Sequence, residues 1–218
     1  MNEIDNGKIL ALRTLAISGV IAVIFYLSHV IGGRMVWSDY NTLIQPISDL
    51  TAASSISQPV ASRILLGYDI FNLLFCGVLL VFFKRFFPIN KIFYSGLLLK
   101  ALAELLSTFG YKLFPLTDTS WGNSFQNTMH YAITAVIVFS YIVLSILLAL
   151  GLSKAKTYPK MTRFLKMFSI VFIASGFFTV IATQVLTSYV GLIERVNLYS
   201  LMVLNIVLAL WMRSLMEV

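Results

Sequence analysis

The sequence predicts an all-α, polytopic membrane protein: a bundle of six transmembrane helices with both termini in the cytoplasm. Three observations carry this reading. Of 218 residues, 59% are hydrophobic and only 11% charged, whereas a water-soluble domain is near half apolar and a quarter charged. Six stretches of the chain approach the roughly 20 apolar helical residues needed to cross a hydrocarbon core of about 30 Å. Basic residues gather in alternate connections, as the positive-inside rule requires. Helix rather than strand follows from the solvent, because an open strand in lipid leaves its backbone N–H and C=O groups unpaired.

The first span, 9–33, follows Lys8 and carries Arg13 near its start. Its apolar run is longer than a signal-peptide core and lacks a small-x-small cleavage site, so a retained span is expected. The connection 34–59 is the longest polar interruption, and its Trp37, Tyr40, Pro46 and Pro59 suit the membrane interface. Pro46 biases Gln45 away from helix, and residues 52–55 are expected to form a short helical turn capped by Ser48 or Asp49. The second span, 60–83, leads to Lys84, Arg85 and Lys91, and the third, 92–114, to a turn-rich connection with Pro115, Asp118, Gly122 and Asn123. The fourth span, 125–152, is followed by Lys154, Lys156, Lys160, Arg163 and Lys166. The fifth, 167–190, is joined by a few residues around Gly191 to the sixth, 196–211. No repeat, low-complexity tract or linker interrupts the chain, so one domain over 1–218 is expected.

A net charge of +7 would suggest nucleic acid in a soluble protein, but here the cations sit between apolar spans, where topology explains them, and no nucleic-acid partner is expected. The single cysteine, Cys76, excludes an intramolecular disulfide and a C-x-x-C motif, and reads as a small core residue. The expected setting is a bacterial cytoplasmic membrane, with membrane lipid as the partner.

Charges inside a span are costly and usually face the bundle interior or a wet cavity. Lys100 and Glu104, four residues apart, share a helical face that continues to Ser107, Thr108 and Tyr111. They read either as a proton relay with Glu104 as carrier or as a self-neutralising pair that packs the bundle. Asp69 and Asn72 in the second span suit a helix-to-helix hydrogen bond, and Ser175, Thr179, Thr183 and Thr187 form a stripe suited to close helix packing.

A second polar set falls at the non-cytoplasmic ends of the spans. His29 and His130 are the only histidines, and Asn127, His130 and Thr134 share a face. With Asp49 and Asp118 in the adjoining loops, they are compatible with a divalent-metal site of His29, His130 and Asp118. They are equally compatible with acid–base catalysis by His130, oriented by Asp49 or Asp118, with Ser48 as nucleophile. A bis-histidine haem needs only His29 and His130. Arg195 suits a phosphate or carboxylate clamp, with Glu194 and Asn127 beside it as substrate contacts, or else an ion pair with Asp49 or Asp118 that fixes the loops. No H-E-x-x-H or G-x-S-x-G motif selects among these.

Pro46-Ile47-Ser48-Asp49-Leu50 after the first span, Phe114-Pro115 with Asp118 after the third, Met129-His130-Tyr131 opening the fourth, and Gly191 with Glu194-Arg195 before the sixth resemble the six-helix membrane family known as domain of unknown function 998. The Pro-Ile-Ser-Asp loop with a later histidine-led span is more remotely similar to the FRAG/DRAM/SFK group, some of whose members are linked to lipid-anchor remodelling or phosphoinositide signalling. Tyr131 departs from that group's polar residue after the histidine. The resemblance implies that Ser48, Asp49, Asp118, His130, Glu194 and Arg195 belong together. The leading expectation is a polar pocket on the outer leaflet that binds or modifies a lipid or lipid-linked substrate. The alternatives are a small proton-coupled transporter using Lys100 and Glu104, and a non-catalytic scaffold or regulator whose polar groups tie loops to helices.

Overall fold

A computed structural model describes residues 3–117 and 124–216, with the side chains of 3–6 and 180–184 left aside. Across these residues run α1 Glu3–Leu15, α2 Ser18–Val36, α3 Gln58–Val81, α4 Lys91–Leu113, α5 Phe125–Ala155, α6 Pro159–Val185 and α7 Val190–Ser214, with no strand among them. Six helical stretches are long and apolar enough to cross a membrane, the first made of α1 and α2 together. The break between those two lies at Ala16 and Ile17, across which the Ser18 hydroxyl donates to Leu15 O at 2.6 Å and competes with the backbone ladder, a recognised cause of helix bending.

Each helix from α2 to α7 packs on the next, and α7 returns to α2. The result is a closed ring with the described ends of the chain on one face and the segments 37–57, 114–117 and 186–189 on the other. We call these the terminal face and the loop face. Between α3, α4, α5 and α7, towards the terminal face, Phe75, Leu79, Phe93, Leu144, Leu148 and Leu208 form a dry core, each at most 1% exposed. Large side chains such as Phe139, Ile170 and Phe177 point out of the ring, as lipid-facing positions do.

Three local expectations change. The connection 34–59 is helical one segment earlier than expected, as a 3-10 turn over Ile47–Thr51 with no side-chain cap. Residues 53 and 54 instead hydrogen-bond across to Leu116 O and Thr117 O at 2.8 and 3.1 Å. The last helix begins at Val190, before its apolar run, so Glu194 and Arg195 lie within it. Of the hydroxylated stripe, Ser175 accepts a hydrogen bond from Asn197 Nδ2 at 3.0 Å across α6 and α7. The Thr183 side chain lies outside those described, and Thr187 belongs to a 3-10 turn.

The backbones of α4 and α5 approach closely at Gly151. A Cβ built on Gly151 would lie 2.6 Å from Phe93 N, and Asn90 both caps α4 at Phe93 N and donates to Gly151 O at 2.7 Å. Backbone cannot swing aside as a side-chain tip can, so Gly151→Ala is expected to destabilise by about 1–3 kcal/mol. Gly77, with nothing within 4 Å of an added Cβ, should accept alanine with no loss. Unfolding of the two variants in mixed micelles, titrated with dodecyl sulfate, compares them directly.

Candidate functional site

Glu104 lies about 20 Å along α4 from Lys91 and about 14 Å from its other end, and it is 3% exposed. Its Oε1 receives the Lys100 ammonium at 3.2 Å and the hydroxyl of Tyr141 from α5, and its Oε2 receives the hydroxyl of Tyr68 from α3 at 3.3 Å. Tyr68 in turn accepts from Asn72 Nδ2 at 3.0 Å, and Asn72 Oδ1 accepts from Asn205 Nδ2 of α7 at 3.0 Å. Lys100 also donates to Cys76 Sγ at 3.6 Å. The bonds run in one sense from α7 to the carboxylate: amide to amide, amide to hydroxyl, hydroxyl to carboxylate. Four helices therefore meet on one charge pair.

Asp69 takes no part in this chain. It pairs with Lys112 at 2.7 Å, between α3 and α4 nearer the loop face. Both residues bond to another helix, but to different ones: Asn72 turns inward to Asn205 of α7, and Asp69 turns to a half-exposed lysine of α4.

At the loop face, Arg195 reads as a clamp on the chain itself. Its Nη1 donates to Thr42 O at 2.6 Å, Gln45 O at 3.0 Å and Gly191 O at 2.8 Å, and its Nη2 donates to the Tyr40 hydroxyl. Tyr40 passes its own proton to Gln45 O and Pro46 O at 3.1 and 2.8 Å. Although expected at the interface, Tyr40 is 4% exposed. Burial pushes its phenol above the ordinary tyrosine range, with the Arg195 charge drawing it partly back. Next to Arg195, Glu194 Oε2 accepts from Ile47 N at 2.6 Å, and Gly191 N and Leu192 N donate to Ile44 O and Leu43 O. A Cβ at Gly191 would collide with Gln45 O, so the loop can lie against α7 only where the side chain is absent.

The same logic holds the second connection. Asn127 Oδ1 accepts from Thr117 N and from its hydroxyl, both at 2.8 Å. His130 Nδ1 meets Phe114 O at 3.0 Å and its ring stacks on Tyr111, centroid to centroid 4.6 Å. A carbonyl only accepts, so Nδ1 carries the proton there. Asp49 is buried at 2% exposure and Ser48 is half-buried on the 3-10 turn. The described partners of Arg195 and His130 are carbonyls and a phenol, with Asp49 not among them. His29 is 1% exposed and packs edge-on against Tyr26. Asp118 lies outside the described residues. Among the described residues, no three His, Cys, Asp or Glu side chains gather to hold a metal ion.

Sequence reasoning found Lys100, Glu104 and Asn72 but missed Tyr68, Tyr141, Asn205 and Tyr40. The available signal was a polar tip inside an apolar span at matching depth on different helices, which Asn205 and Tyr141 both provide.

The clamp generates two expectations. Arg195→Lys keeps the charge but loses the planar fork, so amides in 41–47 should exchange at least roughly tenfold faster, since hydrogen bonds to a charged group contribute about 1.5–3 kcal/mol. Mass-detected hydrogen exchange reads this. The folded loop holds Tyr40 as the neutral phenol, so this contribution is fully present below the ordinary tyrosine value of about 10 and is lost as pH rises through the higher folded value. Protection corrected for intrinsic exchange should therefore stay flat through neutral and mildly alkaline pH.

No curated protein and no solved structure matches the chain. Of the motif residues that resembled a six-helix family, Ile47, Phe114, His130, Gly191, Glu194 and Arg195 take part in the bonds that tie two connections to α5 and α7. A family model described as "Protein of unknown function (DUF998)" matches residues 20–211, and the chain belongs to that family.

Proposed function

We propose that this integral membrane protein is a small proton-linked carrier whose working group is Glu104. The observation that supports this reading is the set of donors around one carboxylate: Lys100, Tyr68 and Tyr141, from three helices, with every member of the chain through Asn72 to Asn205 at most 9% exposed. A buried ion pair offsets its desolvation only when its geometry is good and its remaining lone pairs are satisfied. Here the carboxylate takes two further hydroxyls, each able to donate or accept, so a proton arriving at Glu104 has several groups with which to exchange. Ionisable groups buried in a membrane span mark proton relays and ion pathways in pumps and transporters.

The lipid-binding reading has less support in the geometry. It asks Arg195 to receive a head group, and that guanidinium already serves four oxygens of its own chain. It also asks His130 to work with Asp49, whereas its Nδ1 is spent on Phe114 O.

Proton movement is measured in proteoliposomes loaded with a pH-sensitive dye and driven by a potassium diffusion potential. Wild-type vesicles should acidify several-fold faster than empty ones. Glu104→Gln alone leaves Lys100 buried without its anion and should destabilise by about 3–5 kcal/mol. The double variant Lys100→Met with Glu104→Gln removes both charges and should keep the fold. Equal proton flux in the folded double variant and the wild type would refute the proposal.

A further inference from the structure

The terminal face carries a cavity of about 370 Å³ where α5 ends and α6 begins, lined by Lys156, Arg163 and Lys166 with Ser153 and Thr162 over Leu152. We propose that this cavity binds the phosphate head group of an acidic phospholipid, with the acyl chains lying along α5 and α6. It is independent of the core site.

Charge is the first support. Lys154, Lys156, Lys160, Arg163 and Lys166 cluster where α5 ends and α6 begins, and the chain contains no Asp or Glu between Asp118 and Glu194. Lys156, Arg163 and Lys166 are exposed and none pairs with an acid among the described residues. Topology alone accounts for cations here, but not for a cavity that gathers three of them, nor for the backbone of one. Lys156 is the left-handed residue that ends α5, at φ 56° and ψ 9°. That position is ordinarily glycine or asparagine, so a lysine there accepts backbone strain in order to set its ammonium at the rim.

The second support is what lies beneath. From Ser153 the same face of α5 continues to Leu150 and Ile146, 48% and 40% exposed, and from Arg163 and Lys166 the same face of α6 continues to Ile170 and Phe177, 69% and 67% exposed. Two apolar stripes thus descend from a basic mouth. A free phosphate uses only the mouth, whereas a diacyl phospholipid uses both. The volume is that of small-ligand sites, which begin near 300 Å³, and basic pockets between membrane helices suit anionic head groups.

The test uses the full chain, delipidated in a neutral detergent, and follows its thermal-unfolding midpoint as ligand is added, since anything that binds only the folded state raises it. Phosphatidylglycerol should raise the midpoint in a saturable way, while phosphatidylcholine and inorganic phosphate should not. Lys156→Gln, Arg163→Gln and Lys166→Gln together should weaken the apparent affinity by about fivefold per cation removed. Neutralising Lys84, Arg85 and Lys91 in the other basic connection should leave it unchanged. Lys156→Gly separates strain from binding: it should raise the lipid-free midpoint and shrink the lipid-induced shift. An equal shift with inorganic phosphate would make this a free-anion site and overturn the lipid assignment. An unchanged shift in the triple variant, or an equal loss in the Lys84 control, would overturn the cavity assignment.

Discussion

The carboxylate of Glu104 is the point on which the bundle closes. Lipid offers no hydrogen bonds, so a charge at the middle of α4 requires its partners from within the protein, and each partner comes on a helix that must then be adjacent. Lys100 comes from the same helix one turn away, Tyr68 from α3, Tyr141 from α5, and α7 joins through Asn205 and Asn72. Apolar packing alone does not specify which lipid-soluble helices meet, because lipid tails are as apolar as leucine. The hydrogen-bond set specifies depth as well as neighbour, since a one-turn slip of α3 or α7 would break the chain at Tyr68 or Asn205.

The loop face follows a related constraint with different chemistry. There the unsatisfied groups are backbone carbonyls of an irregular segment, and burying them requires donors. One guanidinium supplies two of these contacts, to Thr42 O and Gln45 O, and one phenol two, to Gln45 O and Pro46 O, and the guanidinium also donates to that phenol, which is why Arg195 and Tyr40 are buried together rather than turned to the membrane surface. Glu194 does the reverse for the N–H of Ile47. Neighbouring residues on α7 thus serve the two polarities of the same loop. The second connection is fastened to the first by two backbone bonds and to α5 by Asn127 and His130.

This division explains what the sequence made legible. The helices were readable because hydrophobic length is a property of composition, and Lys100 with Glu104 because a four-residue spacing fixes a shared face. Arg195 was open to either a ligand or the loops in the sequence, and its loop contacts could not be read there because its partners are mostly carbonyls, which have no letter in the sequence. Tyr141 was invisible for a similar reason: a tyrosine in a span reads as a large apolar ring until the depth of its hydroxyl is known. Only Gly191 hinted at the clamp, since a glycine opening a membrane helix marks a place where another strand of backbone comes close.

A buried ion pair is weak support for stability, because replacing both partners with apolar side chains of similar volume is often neutral or stabilising. A bundle that needed only to hold together at this depth would be served at least as well by leucine at positions 100 and 104, with phenylalanine at 68 and 141. Instead it keeps a lysine at 1% exposure and a carboxylate at 3%, with two phenols and two amides, each of which must be satisfied to avoid a further penalty. Specifying helix depth would account for one polar pair, such as Asn72 with Asn205. It does not require a charge pair, whose burial costs more than that of an amide and then calls for hydroxyls to satisfy the carboxylate. The proposed carrier role rests on that pair and on the exchangeable hydrogens gathered at Glu104, in the core of the ring rather than at its loop face.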